Sequence, residues 1–183
     1  MHPSMYDVVW ASQAFSGVEC DAILHKFVAS QFKPGVLMQQ DVPDESARKS
    51  SVRFVPFNDD DRWIFDRLRD VAILVNQRFN FDLKGFDEGF QLARYAEGEF
   101  YHWHADLGAD VSALRKLSLV AQLTDPADYA GGDLEFFPSP VIAPRERGTV
   151  IVFPSYMPHR VLPVTHGLRN SLASWIVGEK PFR

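Results

Sequence analysis

The N-terminal part of the chain contains two segments in which apolar side chains recur at helical spacing. In FSGVECDAILHKFVASQF, Ser16 is a suitable N-cap, and an apolar face follows it. That face comprises Val18, Ile23, Leu24, Phe27 and Val28. The segment NDDDRWIFDRLRDVAILVNQRF predicts the clearest helix, because acidic residues occupy its first turn and an apolar stripe follows. The stripe comprises Ile64, Leu68, Val71 and Val75, flanked by Phe65, Ala72 and Phe79.

Strand-like patterns surround these helices and dominate the C-terminal half. YDVVW and SVRFVPF are typical of short strands, and the polar segment QDVPDESARKS (40–50) predicts a loop. From about residue 86 the pattern changes to short β-like runs separated by turn residues. The runs lie at 87–95, 99–105, 116–123, 133–137, 148–153, 158–164 and 169–177. The Pro-rich stretch 138–144 predicts a surface crossover, because strand patterning resumes directly after it.

Two helices followed by a series of short strands indicate an α+β fold. We expect a small antiparallel β-sandwich or barrel with both helices packed on one sheet. The chain has 183 residues and is 46% hydrophobic, which is enough to bury a core within one domain. We therefore predict a single domain over 1–183, with helical support at about 14–80 and a β-core at about 86–178.

Charge and cysteine content narrow the classes of partner. The net charge is -5 and no basic stripe occurs, which argues against a nucleic-acid partner. Cys20 is the only cysteine, so no intrachain disulfide or thiolate metal cluster can form. No apolar run approaches the roughly 18 residues of a membrane span, and the N-terminus lacks a signal-peptide pattern. We expect a cytoplasmic protein without a membrane partner.

The stretch ARYAEGEFYHWHADLG concentrates candidate metal ligands. Alternate residues of a strand share a face, so His102, His104 and Asp106 could point the same way. Imidazole and carboxylate together suit Fe(II), Zn(II) or Mn(II). His159, at the start of a later strand, would complete a facial triad of two histidines and one carboxylate. His104 is the better ligand of the neighbouring pair because it stands two residues before the aspartate, and His102 is expected at the surface or the pocket rim.

Arg169 follows His159 by ten residues, in a return strand that can lie beside the metal-bearing strand. A buried arginine is costly unless it is paired, and its guanidinium fork suits a carboxylate. A dicarboxylate that chelates the metal at one end would bring its other carboxylate to such a residue. 2-Oxoglutarate has this chemistry.

Three segments, YAEGEFYHWHAD, DYAGGDLEFF and PHRVLPVTHGLRNSLASW, together resemble the prolyl 4-hydroxylase-like (PKHD-type) branch of the Fe(II)/2-oxoglutarate oxygenase superfamily. The branch's Y-x-x-G-x-x-Y-x-x-H-x-D strand is matched by Tyr95, Gly98, Tyr101, His104 and Asp106. Its Gly-Gly-acidic-Leu turn is matched by Gly131, Gly132, Asp133 and Leu134, and its distal histidine and basic residue by His159 and Arg169. The resemblance covers nearly the whole chain and implies a double-stranded β-helix (jelly-roll) core.

The resemblance also implies a role for each matched side chain. Fe(II) would be held by His104, Asp106 and His159. Arg169 would bind the distal carboxylate of 2-oxoglutarate, assisted by Ser171. Tyr95 would hydrogen-bond the cosubstrate, and Trp175 would form a wall of its pocket. O₂ would be the second cosubstrate, and ascorbate is a candidate supporting reductant.

The implied reaction is hydroxylation of an unactivated C–H bond, with a prolyl residue of a protein or peptide as the first candidate substrate. A free amino acid or another small molecule is the alternative. The carboxylate of Asp106 favours hydroxylation, because halogenating relatives carry a small residue at this position.

Two readings from other classes stay open. One is a zinc hydrolase that uses Glu97 or Glu99 as its base, and the other is a non-catalytic jelly-roll binding module. Arg48 and Arg53, near the 40–50 loop, would contact either substrate or solvent.

Overall fold

The computed structural model describes residues 8–26, 31–36, 43–138 and 141–182. Within these ranges, the α-helices are α1 (Gly17–Leu24) and α2 (Arg62–Phe79). The strands are β1 (Val9–Ala11), β2 (Lys33–Pro34), β3 (Arg48–Lys49), β4 (Ser51–Val55), β5 (Phe90–Tyr95), β6 (Phe100–His104), β7 (Arg115–Gln122), β8 (Tyr129–Gly131), β9 (Leu134–Phe136), β10 (Val141–Ile142), β11 (Val150–Pro154), β12 (His159–Val161), β13 (Val164–Gly167) and β14 (Arg169–Val177). Short 3₁₀ helices lie at Asp59–Asp61, Asp110–Leu114 and Pro126–Asp128.

The strands form two facing antiparallel sheets and a short ribbon. The larger sheet has seven strands in the order β1-β11-β7-β14-β5-β4-β2, and the smaller has five in the order β10-β9-β12-β6-β3. Strands β13 and β8 pair separately. One apolar cluster joins the two sheets, with Ala93 and Phe153 from the larger and Phe136 and Val161 from the smaller. The predicted jelly-roll core is therefore confirmed.

Both helices pack on the face of the seven-stranded sheet that points away from the smaller sheet. A capping box starts α1: Glu19 N–H donates to Ser16 Oγ (3.3 Å), and Ser16 N–H donates to the Glu19 carboxylate (2.7 Å). Cys20 and Ile23 are fully buried, but Val18 is 78% exposed. The prediction was wrong for Val18 because it lies roughly 200° around the helix from Cys20. The predicted face residues Phe27 and Val28 lie outside the described residues.

Helix α2 buries the predicted stripe. Its buried residues are Ile64, Phe65, Leu68, Val71, Ala72, Val75 and Phe79. They join Leu92, Leu119 and Val150 of the sheet in a second apolar cluster. The helix thus covers one face of the sheet, while the opposite face is left to the smaller sheet. Neither described helix has the length and apolarity needed to cross a bilayer.

The two-residue strands β2, β3 and β10 and the three-residue strand β8 were not predicted from the sequence. Strand β3 lies inside the expected 40–50 loop, β10 lies inside the expected 138–144 crossover, and β8 precedes the predicted 133–137 strand. Residues 40–42 and 139–140 are outside the described ranges. The predicted strand 158–164 is divided, because β12 pairs with β6 and β9 whereas β13 pairs with β8. Strands of two or three residues are too short for alternation to reveal them.

Candidate metal and cosubstrate site

A cavity of about 210 Å³ opens between the two sheets. All seven candidate site residues line it: Tyr95, His104, Asp106, His159, Arg169, Ser171 and Trp175. They come from strands β5, β6, β12 and β14 and from the loop that follows β6. The structure therefore brings residues that are distant in sequence into one pocket.

His104, Asp106 and His159 form a compact donor set. His104 ends β6, His159 begins β12, and the two residues are paired across the sheet. One carboxylate oxygen of Asp106 lies 3.8 Å from His104 Nε2, and the other lies 3.7 Å from His159 Nε2. The three potential ligand atoms all lie within 4.8 Å of one another. This spacing allows one divalent cation to contact all three.

Backbone carbonyls orient both imidazoles. His104 Nδ1 lies 2.8 Å from the His102 carbonyl oxygen, and His159 Nδ1 lies 3.0 Å from the Met157 carbonyl oxygen. A carbonyl only accepts, so each Nδ1 carries the hydrogen and each Nε2 presents a lone pair. Two neutral imidazoles and one carboxylate are the donors that Fe(II) takes in facial-triad sites, so the set fits this metal.

The electrostatics favour the deprotonated forms of His104 and Asp106. Burial, together with the charge of His159, lowers the pKa of His104 to about 3. Burial alone would raise the pKa of Asp106, but the neighbouring His159 and His104 lower it overall. The indole of Trp175 approaches the carboxyl and also lowers that pKa, although no acceptor among the described residues completes a hydrogen bond to Trp175 Nε1. Metal ligands bind in these deprotonated forms.

A β-bulge in β6 decides which of its side chains face the cavity. His159 pairs with His104 and Val161 pairs with Tyr101, so three residue steps on β6 oppose two on β12. Tyr101 and His104 therefore both line the cavity, with their rings stacked at 3.5 Å between centroids. His102 is exposed. The bulge takes His102 off the cavity face, and its predicted position at the surface or the pocket rim is confirmed.

Arg169 lies in the cavity wall with only neutral partners. It is 1% exposed. Its Nη1 donates to Ser171 Oγ (3.3 Å), its Nη2 donates to Gln122 Oε1 (2.9 Å), and its Nε has no partner among the described residues. The Tyr95 ring centroid lies 5.4 Å from the guanidinium carbon. Among the described residues no carboxylate pairs with Arg169, so the cavity has a buried guanidinium suited to an anionic ligand.

The pairing register between β14 and β5 determines which of their side chains form the cavity wall around Arg169. Alternate residues of β14 line the cavity: Arg169, Ser171, Ala173 and Trp175. The β5 residues opposite the first three of them, Tyr95, Ala93 and Gln91, line it too. This is the period of two that a strand imposes.

The Gly131–Gly132 turn packs against Arg169. Both glycines have left-handed backbones, with φ of +69° and +66°. A Cβ at Gly132 would lie 3.0 Å from Arg169 Cδ and 2.9 Å from Val164 Cγ2. Only glycine satisfies both the backbone conformation and this close approach.

Arg115 is a site residue that the sequence did not reveal. Its Nη1 donates to the Asp106 carbonyl oxygen (3.1 Å), and its Nε and Nη2 donate to the Glu88 carboxylate (2.9 and 2.8 Å). The guanidinium also lies 4.0 Å from the Trp175 ring centroid. The pair helps to hold the backbone of Asp106. No local motif signals it, because Glu88 and Arg115 are 27 residues apart.

The two arginines near the 40–50 loop differ in position. Arg48 is 5% exposed and lines the cavity, so the alternative that its side chain is solvated at the surface is wrong. Arg53 does not line the cavity and donates to the Lys26 carbonyl oxygen instead. The candidate hydrolytic bases Glu97 and Glu99 do not line the cavity either. Glu99 accepts from the Ala96 N–H (2.8 Å) within the β5–β6 turn.

Comparison with known proteins agrees with this geometry. The model of the 2OG-Fe(II) oxygenase superfamily matches residues 90–177. A PKHD-type hydroxylase of Janthinobacterium sp. (strain Marseille) is 34% identical over 93 residues, which cover 45% of this chain and 40% of that protein. Another, of Synechococcus sp. (strain CC9902), is 32% identical over 119 residues, covering 59% of this chain and 53% of the relative. The matches thus span about half the length of these relatives.

Solved structures share the fold across nearly the whole chain. A Pseudomonas putida prolyl-4-hydroxylase superposes with a TM-score of 0.76 and 21% identity, covering 96% of this chain and 95% of its own. A Trichoplax adhaerens prolyl hydroxylase, solved with a hypoxia inducible factor peptide, gives a TM-score of 0.79 and 18% identity, covering 94% and 84%. At these identities the likeness establishes the fold alone. Residues 90–177 thus match the 2OG-Fe(II) oxygenase superfamily model, and the chain is similar to PKHD-type hydroxylases.

Proposed function

We propose that this protein is an Fe(II)- and 2-oxoglutarate-dependent dioxygenase that hydroxylates an unactivated C–H bond. A prolyl residue of a protein or peptide is the first candidate substrate, and a free amino acid or another small molecule is the alternative. One observation carries the proposal: a triad of two histidines and a carboxylate shares a cavity with a buried arginine that has no carboxylate partner among the described residues. The prolyl hydroxylases among the structural neighbours support the choice of first substrate.

In this proposal each candidate residue has a stated task. His104, Asp106 and His159 hold Fe(II), and Arg169 holds the distal carboxylate of 2-oxoglutarate. Ser171 and Tyr95 position that cosubstrate, and Trp175 walls its pocket. Held there, Fe(II) and 2-oxoglutarate would supply, with O₂, the oxidising chemistry that converts the C–H bond to C–OH and 2-oxoglutarate to succinate and CO₂. The whole chain, 1–183, acts as one catalytic domain.

The protein contributes orientation and a dry environment. The Nδ1 hydrogen bonds to backbone carbonyls fix both imidazoles before the metal binds, which lowers the ordering cost of the site. The buried Arg169 keeps an unpartnered Nε, so a carboxylate gains a charge-assisted hydrogen bond there. Leu134, Val120 and Val161 line the same cavity and reduce its water content.

The reaction can be tested by measuring succinate formed from 2-oxoglutarate under air with added Fe(II), with and without prolyl peptides. We expect succinate release that depends on Fe(II), is stimulated by a substrate, and yields a product heavier by one oxygen atom. His104→Ala is expected to abolish release, whereas Arg69→Gln, on the outer face of α2, is expected to leave it unchanged. Absence of Fe(II)-dependent succinate from the wild-type protein would exclude the proposed function.

A further inference from the structure

Arg48 is the third arginine in the cavity, and the proposed reaction gives it no task. It lies on β3, where it pairs with Tyr101 of β6. Its guanidinium carbon lies 4.4 Å from the Tyr101 ring centroid, and that ring stacks on His104. One aromatic ring therefore separates Arg48 from a candidate metal ligand.

Within the part of the chain that the structure describes, the hydrogen-bond partners of Arg48 are neutral. Its Nε donates to Ser50 Oγ (2.8 Å), and its Nη1 donates to the Val36 carbonyl oxygen (3.3 Å). Its Nη2 donates to Gln91 Oε1 (3.1 Å). A guanidinium has five N–H groups; these bonds use three and the nearby Tyr101 hydroxyl is a further neutral partner, so among the described residues one terminal N–H stays available for a ligand. Among the described residues no carboxylate pairs with Arg48, although it is 5% exposed.

The chain leaves space for this guanidinium. A Cβ at Gly35 would lie 2.5 Å from Arg48 Nε and 2.6 Å from Ser50 Oγ. Gly35 N–H also donates to the Ser50 carbonyl oxygen (2.8 Å). Glycine at this position lets β2 and β4 close around Arg48, so the side chain is held against the cavity.

The charges of the proposed complex leave Arg48 uncompensated. Glu88 neutralises Arg115. The two positive charges of Fe(II) and the one of Arg169 are balanced by Asp106 and the two carboxylates of 2-oxoglutarate. A positive charge then stays buried at Arg48, and such a charge is costly without a partner. A substrate with one negative charge would balance it.

We propose that Arg48 binds a carboxylate of the substrate, so that the protein acts on a free amino acid or on the C-terminal residue of a peptide. This inference rests on the proposed function and names its substrate class. A guanidinium fork binds a carboxylate through charge-assisted hydrogen bonds. An internal prolyl residue has an uncharged amide in place of the carboxylate that a free amino acid or a C-terminal residue carries.

The test compares acids with their amides. Succinate release is measured with the free amino acids and their carboxamides, and with peptides that end in proline or in prolinamide. In the wild type, we expect the best acid to exceed its amide roughly tenfold or more in kcat/KM, because one charged hydrogen-bond partner is lost. A response to a free acid or to a C-terminal peptide acid distinguishes the two sources of the carboxylate.

Variants at Arg48 and at its neighbour test whether Arg48 causes the preference for acids over amides. Arg48→Gln is expected to remove the difference between acid and amide, and Arg48→Lys to keep part of it. Lys49→Gln removes a positive charge from the neighbouring exposed position on β3 and is expected to keep all of it. Equal kcat/KM for acids and amides, activity on internal prolyl peptides alone, or no response to any acid would overturn the inference.

A substrate-free measurement separates this inference from the proposed function. Binding of Fe(II) and 2-oxoglutarate is measured in the absence of oxygen, through the visible charge-transfer absorption of the complex. We expect Arg48→Gln to bind 2-oxoglutarate as the wild type does, because Arg169 holds that carboxylate. A wild type without this absorption would contradict the proposed function itself, whereas normal absorption without acid preference would contradict only the role of Arg48.

Discussion

At the scale of single residues, burial and neutral hydrogen-bond partners support the proposed role of Arg169 as a binding residue. Ser171 and Gln122 satisfy two of its N–H groups, but neither neutralises its charge. A structural arginine at 1% exposure would be expected to pair with a carboxylate, as Arg115 does with Glu88. The missing negative charge is therefore attributed to a ligand.

We predict that Arg169→Gln raises the KM for 2-oxoglutarate about tenfold or more, because one charge-assisted contact is lost. The melting temperature should not fall sharply, since no carboxylate loses its partner. Steady-state kinetics and thermal melting measure the two effects. Arg69→Gln, which removes a surface arginine from α2, should change neither, and an unchanged KM in Arg169→Gln would argue against the assigned role.

At the scale of elements, strand register decides how much of the site the sequence could predict. Strand β14 keeps its alternation from Arg169 to Trp175, so Arg169, Ser171 and Trp175 all line the cavity, as the family resemblance implied. The bulge in β6 breaks the alternation, so strand alternation alone could not separate His102 from His104, whereas the spacing of His104 to Asp106 did. Bulges and two-residue strands such as β3 depend on tertiary pairing rather than on local pattern. For this reason the sequence could not decide whether Arg48 faces the cavity or the solvent.

The Gly131–Gly132 turn should be essential for cosubstrate binding. Gly132→Ala places a Cβ in a left-handed backbone and against Arg169 Cδ, so we expect loss of both stability and 2-oxoglutarate affinity. Gly17→Ala is the matched control, because nothing lies within 4 Å of its new Cβ at the start of α1. Denaturant unfolding and cosubstrate titration compare the variants. Equal behaviour of the two would mean that the turn does not support Arg169.

At the scale of the whole molecule, the larger sheet separates two apolar regions. One lies between the helices and that sheet, and the other lies between the two sheets around the site. The helical region was readable from sequence, because the α2 stripe matches the buried residues. We therefore expect the helices to stabilise the larger sheet without contributing to ligand binding or catalysis in the cavity.

Substitutions on α2 test this division. Leu68→Ala removes a fully buried side chain and should lower the free energy of unfolding by about 2–5 kcal/mol. Leu74→Ala, at a position 64% exposed on the same helix, should change it by less than about 0.5 kcal/mol. Below the unfolding transition, both variants should retain the wild-type KM for 2-oxoglutarate. A selective loss of cosubstrate affinity in folded Leu68→Ala would show that the helix acts on the site.

The most direct test of the assigned site is anaerobic titration of Fe(II) and 2-oxoglutarate into the wild type, His104→Ala and His102→Ala, followed by visible charge-transfer absorption. We predict absorption in the wild type and in His102→Ala, whose altered side chain is exposed, and none in His104→Ala. Equal absorption in all three proteins would show that the metal binds elsewhere. Its absence from the wild type, with Fe(II) and cosubstrate in excess, would contradict the assignment of this cavity as an Fe(II)/2-oxoglutarate site.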